Sequence, residues 1–232
     1  MITTKTSIRT RLCAALAAAP LLAGCLGAGS TEAAARVPPP AYDVPVPGTT
    51  ETAVLSGGCF WGVQGVFEHV KGVRQVLAGY AGGLKITAAY ELVGTGATGH
   101  AESVQIVFDP RQISYGEILR IFFSVATDPT QVNEQFPDHG PQYRSEIFYD
   151  TPTQKAVAER YIAQLNAAKV FARPIATRVD RDSGFFRAEG YHQDYLVRHP
   201  DAPYIATYDL PKVAALKALF PSDYRPSPVT VL

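Results

Sequence analysis

A mixed α+β domain, a two-layer sandwich built on a ferredoxin-like β-α-β-β-α-β core, is predicted by three observations. Apolar residues alternate at period two in short runs, recur at helical spacing in the segments between them, and the two kinds of segment follow one another in the split βαβ order. The elements fall between residues 51 and 221, a length that can bury a sizeable core.

Thr52-Ala53-Val54-Leu55 reads as the first strand. Phe60, Val63, Phe67 and Val70 then recur at helical spacing, which predicts a helix over residues 59–70 with Cys59 at the turn between strand and helix. A second strand over residues 73–79 ends at Gly82-Gly83, and a glycine-rich polar stretch leads to a third, residues 101–108, stopped by Asp109-Pro110. Ser114-Tyr115-Gly116-Glu117 matches a capping box and opens a helix with Ile118, Leu119, Phe122 and Val125 inward. A long loop, residues 127–142, precedes a fourth strand at 145–149. Thr151-Pro152 suits the cap and first turn of the next helix. Residues 175–179 are expected to form the last regular strand, and beyond Asp180 an irregular wrap over the core or the site is expected.

At the start of the chain, Lys5, Arg9 and Arg11 precede an apolar run over residues 12–22 that is too short to span a bilayer comfortably. This is the pattern of a secretory signal peptide, residues 1–24. Leu22-Ala23-Gly24-Cys25 resembles a bacterial lipoprotein signal, which implies cleavage before a lipidated Cys25; a plain signal peptide cleaved at a small residue is the alternative. Residues 25–50, rich in Ala and Pro, read as a tether, and residues 222–232 as a tail. The expected address is the cell envelope, facing the periplasm, on a lipid anchor, with Leu26 after Cys25 favouring the outer membrane. Removing three basic residues from a charge-balanced chain leaves a mild acidic excess and no basic stripe, so nucleic acid is not an expected partner.

Chemistry concentrates at Ser56-Gly57-Gly58-Cys59-Phe60-Trp61-Gly62. Unpaired N–H groups at a helix start favour a thiolate over a thiol, so Cys59 reads as a nucleophile; a buried structural cysteine is the competing reading. On the third strand Glu102 shares a face with Val104, Ile106 and Phe108, a register that would desolvate its carboxyl and fit it for general acid catalysis; an edge glutamate twisted out to water is the reading the residue type alone favours. The five histidines, His69, His100, His139, His192 and His199, match no compact ligand spacing, and no metal is expected.

Gly58-Cys59-Phe60-Trp61-Gly62 resembles the active-site signature of the peptide methionine sulfoxide reductase A family. Gly99-His100-Ala101-Glu102 with Val104, and Asp138-His139-Gly140-Pro141-Gln142-Tyr143-Arg144-Ser145, resemble its other segments, in the family's order. The likeness runs from about Thr52 to about Tyr204. It implies thiol-dependent reduction of methionine S-sulfoxide, free or in proteins, through a Cys59 sulfenic acid, with Glu102 as proton donor. It places substrate-oxygen and positioning groups on Tyr90, Asp138 and Tyr143, and a methyl pocket on Phe60 and Trp61. Taken singly, Tyr90 could be a surface aromatic, Asp138 a turn former and Tyr143 a core residue. Tyr191-His192-Gln193 resembles a segment that lines the family's site.

Many members carry resolving cysteines near the C-terminus, whereas no cysteine follows Cys59 here. With Cys13 in the signal and Cys25 acylated, the sulfenic acid is expected to be resolved by an external thiol, a small one or a thioredoxin-like protein, with no bound cofactor. A monomer is expected. Two other readings share these residues: a Cys-based peroxidase, and a lipid-anchored binding module without turnover.

Overall fold

The computed structural model describes residues 1–2 and 34–232. Apart from residues 1–2, the predicted signal peptide lies outside the described residues, as do Cys13 and Cys25.

Strand β1 (Glu51–Gly57), helix α1 (Phe60–Glu68), β2 (Val73–Ala81), the short α2 (Tyr90–Val93), β3 (Ala101–Phe108) and α3 (Tyr115–Ile121) follow one another. Then come the two-residue strands β4 (Glu134–Gln135) and β5 (Asp138–His139), β6 (Ser145–Tyr149), α4 (Pro152–Ala167), β7 (Arg178–Arg181), β8 (Phe185–Arg187), α5 (Tyr195–Arg198) and α6 (Leu210–Leu219). Six strands form one sheet in the order β7-β6-β1-β3-β2-β8. The four central strands run antiparallel to one another, β8 joins β2 in antiparallel, and β7 joins β6 in parallel. This is the split βαβ core with one strand added at each edge.

Alternation along the strands separates the two faces. Ala53, Leu55, Val76, Val104 and Ile106 point into the main core beneath α1, α3 and α4. Val54, Ala81 and Phe148 form a small cluster on the opposite face, with Phe185 packed on it. Glu102 is on the helix side, as the period-two reading of β3 predicts.

Local capping chemistry sets the helix starts. The Ser114 hydroxyl accepts from the Glu117 N–H, and the Thr151 hydroxyl accepts from the Gln154 N–H, each satisfying a donor that the helix leaves unpaired. Of the nine residues of α1, all but Trp61 are buried, because α5, α6 and the turn before α6 pack around it. At Gly65 a Cβ would come within 2.6 Å of Leu196 Cδ1 of α5, so that crossing requires glycine.

The structure departs from the sequence reading in the last third of the chain. The final parallel strand begins at Arg178, not Ile175. The Ile175 N–H donates to Asn166 Oδ1 and the Ala176 N–H to the Pro129 carbonyl, so a side chain and a loop take the bonds a strand would have used. The expected irregular wrap contains β8, α5 and α6, with Val213, Leu216 and Phe220 of the last segment in the core. The long loop after α3 folds back as the β4–β5 hairpin.

Part of the Pro-rich stretch before β1 is packed on the domain. Val37 is buried with its N–H on Ser124 Oγ, the Pro38 carbonyl accepts from the Tyr161 hydroxyl, and Asp43 accepts from the Gly116 N–H. Prolines have no N–H to satisfy, and their free carbonyls suit a strap along the donors of α3 and α4. The tail is tied down too: the Val229 N–H donates to the Glu68 carbonyl, and those of Val231 and Leu232 donate to the Asp194 carboxylate.

Candidate active site

The site is built where β1 turns into α1. Gly58 carries φ +94°, a left-handed conformation that lets the chain reverse there, and a Cβ on it would meet Gln135 Cβ at 2.5 Å. Cys59 follows as the cap residue of α1 and is 8% exposed. The first free N–H of the helix, that of Phe60, donates to Glu102 Oε2 at 3.0 Å, while the Trp61 N–H donates to the Cys59 sulfur.

Glu102 enters from β3, directly across from Tyr80 of β2, and is 4% exposed. Burial pushes its carboxyl up to about 8, the Phe60 N–H opposing and Asp138 and Asp209 adding to the rise. At neutral pH it is an undissociated acid with a proton to give.

The thiol does not behave as the helix-start argument alone predicts. Burial, then the acids Glu102 and Asp209, push Cys59 well above the usual thiol value, and the Trp61 N–H opposes them without overcoming them. In the resting site Cys59 is a protonated thiol. Desolvation acts on the whole charge of a thiolate, whereas the helix end offers a fraction of a charge.

The remaining residues expected here converge on this pair. The phenol of Tyr90, at the start of α2, lies in the field of Glu102 and Cys59. That of Tyr143, on the turn before β6, lies in the field of Glu102, Asp138, Cys59 and Tyr90; burial raises both above the ordinary phenol value. Asp138 of β5 accepts a hydrogen bond from the Tyr204 hydroxyl, and burial raises its carboxyl. Of the two aromatics after the cysteine, Phe60 is the floor: it is fully buried against Tyr80 and His192. Trp61 is the partly exposed wall, stacked on Tyr195 at 4.0 Å and edge-on to Tyr204.

Other residues hold these in place. The Trp61 Nε1–H donates to His192 Nδ1 at 3.1 Å; burial lowers the proton affinity of His192 and keeps it neutral. Glu189 accepts from the Tyr90 N–H and from the Tyr80 hydroxyl, fixing the start of α2. Arg144, buried beside Glu146, donates to the carbonyls of Gly99, His100 and Pro141, clamping the approach to β3 onto the turn that carries Tyr143. Gln193 pairs with both backbone groups of Ala78 as a strand residue would, and so anchors the segment bearing His192 to β2. Sequence reasoning assigned nothing to Glu189, Tyr204 or Asp209. For Asp209 the one local signal is Pro211 two residues on, the pattern of a helix start. Among the described residues, no three His, Cys, Asp or Glu side chains are grouped to hold a metal ion.

Residues 51–223 match the family described as peptide methionine sulfoxide reductase. The chain belongs to that family. It is 56% identical over 183 residues to peptide methionine sulfoxide reductase MsrA 2 of Mesorhizobium japonicum, covering 79% of this chain and 94% of that protein. It is 53% identical over 181 residues to the protein of the same name from Synechocystis, covering 76% of this chain and 85% of the other. Among solved structures, methionine sulfoxide reductase A of Corynebacterium diphtheriae superposes with a TM-score of 0.57 at 32% identity, over 69% of this chain and 81% of that one. The reduced form of Mxr1 from Saccharomyces cerevisiae gives 0.60 at 28%, over 70% and 92%. As a member of the peptide methionine sulfoxide reductase family the chain is a thiol-dependent oxidoreductase, and its α+β sandwich is the fold of those relatives.

Proposed function

We propose that this reductase transfers the oxygen of methionine S-sulfoxide to Cys59, with Glu102 as the proton donor and Tyr90 and Tyr143 as the groups that receive the sulfoxide oxygen. The observation that carries the reading is the link from the Phe60 N–H to the protonated Glu102 carboxyl, which sets an acid behind the only cysteine of the described residues.

The Cys59 sulfur attacks the sulfoxide sulfur as Glu102 gives its proton to the oxygen, and the two phenols hydrogen-bond the charge that develops there. The S–O bond of the substrate breaks, an S–O bond to Cys59 forms, and the thiol proton returns to Glu102. The products are methionine and a Cys59 sulfenic acid. The demand for a thiolate is met at that step: a proton leaving Glu102 turns it into the base that takes the proton of the buried thiol. Trp61 and Phe60 supply an apolar wall and floor for the substrate methyl, a contact worth about 0.3–1.5 kcal/mol. Asp138, held by Tyr204, positions the substrate.

The sulfenic acid then meets an external thiol. One thiol displaces the hydroxyl as water and leaves a mixed disulfide on Cys59; a second thiol attacks that disulfide and restores the cysteine, so two thiols are oxidised for each sulfoxide reduced. The absence of any cysteine after Cys59 supports this route, with a small thiol or a thioredoxin-like protein as reductant. The signal-like residues 1–24 and the lipoprotein-type Cys25 support an address in the cell envelope on a lipid anchor, and with it oxidised envelope proteins as substrates.

The test is turnover of separated R and S sulfoxides by the purified chain beside Cys59→Ser. The S epimer is expected to be reduced, the variant to be inert, and one turnover without reductant to leave a single added oxygen on Cys59. Full-rate repair by Cys59→Ser, or hydrogen peroxide consumed in preference to either epimer, would overturn it.

A further inference from the structure

A third acid reaches the cysteine from the far end of the chain. Asp209 closes a π-helical turn, Ile205–Asp209, and precedes α6, yet its side chain makes no capping bond there. It is fully buried; Oδ1 accepts from Lys212 Nζ at 3.2 Å, and Oδ2 has no hydrogen-bond partner. Burying a carboxyl with one oxygen unpaired is costly, and an amide or an apolar side chain would fill the same space more cheaply.

Its placement accounts for the cost. A Cβ on Gly62 would lie 2.0 Å from Asp209 Oδ1 and 3.0 Å from Lys212 Nζ. Gly62 is in the first turn of α1, three residues after the cap cysteine, so the missing side chain is what admits an acid and an ammonium group to the helix start. π-Turns of this kind occur often where a functional side chain must be aimed.

We propose that Asp209, held by Lys212, is a positioning residue for Cys59: its buried charge keeps the thiol protonated in the empty site, and Lys212 moderates that charge. The resting enzyme thereby carries a nucleophile that peroxides and alkylating agents meet in its least reactive form, and the sulfoxide-linked proton of Glu102 releases it. Cys59 faces Glu102 of β3, Asp138 of β5, Tyr204 and Asp209, with the phenols of Tyr90 and Tyr143 and the Trp61 N–H also around it. Asp209 in turn faces Lys212 and Asp138. Burial raises the Asp209 carboxyl, and Lys212 opposes the rise.

The inference rests on Cys59 being the nucleophile, and alkylation reads its proton directly without any sulfoxide, so the outcome is separable from sulfoxide turnover. The experiment is the pH dependence of iodoacetamide alkylation of Cys59 in the full chain, in Asp209→Asn and in Lys212→Met. Asp209→Asn is expected to move the midpoint to lower pH and speed alkylation about threefold to tenfold near pH 8; Lys212→Met is expected to move it the other way. An unchanged or higher midpoint in Asp209→Asn, or the same direction in both variants, overturns the proposal. If Asp209→Asn gives no cooperative melt, Lys212→Met decides: a higher midpoint supports the proposal, and an unchanged or lower one overturns it.

Discussion

The backbone N–H of Phe60 donates to Glu102 Oε2 at 3.0 Å, tying the first turn of the cysteine's helix to a carboxyl 42 residues further on. That carboxyl holds its proton to about pH 8. Activity that needs the acid form is therefore full below about 8 and lost as pH rises through it. In a plot of kcat/KM against pH, Glu102→Gln is expected to lower the plateau by about 10²- to 10⁴-fold and to remove the alkaline limb that Glu102 causes. The same shift has a stability sign. The unfolded chain releases this proton near 4.5 and the folded one near 8, so stability falls as pH rises between those values, and Glu102→Gln flattens that fall.

Tyr90 and Tyr143 share the field of Glu102 and Cys59 although they come from different elements, one at the start of α2 and one before β6. Two donors on one developing charge back each other up. Tyr90→Phe and Tyr143→Phe are each expected to reduce kcat modestly, and the double variant to lose about 10²- to 10³-fold, the cost of removing a donor with no substitute. Steady-state kinetics on the S sulfoxide measures this. Equal losses in the single and double variants would show that only one phenol contacts the oxygen.

Gly58 bears on both fold and chemistry. Its φ of +94° strains any side chain, and a Cβ would push on Gln135, whose amide accepts from the Asp128 N–H and donates to the Asp128 carbonyl. Gly58→Ala is expected to lower stability by about 1–3 kcal/mol, read as a shift of the urea midpoint, and to lower kcat as Cys59 moves off its cap position.

What could be read in the sequence was what short-range chemistry decides. Strand β3, the Ser114 and Thr151 caps, and the face that Glu102 shares with Val104 and Ile106 follow from spacing over a few residues, and they stand in the structure at the expected positions. The protonation of Cys59 did not follow, because a local rule about helix ends is outweighed by burial and by acids arriving from β3 and from the turn before α6. Glu189 and Tyr204 were illegible for the same reason, as was the place of Asp209 beside the first turn of α1. Their partners lie across the fold, Glu189 with Tyr80 109 residues away and Tyr204 with Asp138 66 residues away, and no pattern of neighbours in sequence announces such pairs. The residues that carry the family resemblance were visible as motifs; the side chains that hold them were visible only in three dimensions.

The end of the chain should respond to pH through a carboxyl remote from Cys59. Glu68, on the last turn of α1, is fully buried, and its carboxyl meets that of Asp194. Burial first and the neighbouring Asp194 second hold its proton to about 9. Asp194 itself accepts from the N–H groups of Val231 and Leu232, and the Glu68 carbonyl accepts from Val229. Because the unfolded chain gives up the Glu68 proton near 4.5 and the folded chain near 9, stability drains as pH climbs across that interval. Ionised Glu68 beside Asp194 would then place two like charges where the tail is tied. Glu68→Gln keeps the shape and removes the charge. Its thermal midpoint is expected to match the parent near pH 5 and to exceed it by several degrees near pH 9, with slower hydrogen exchange at Val231 and Leu232. A parent midpoint that does not fall between those pH values relative to the variant would place the ionisation elsewhere.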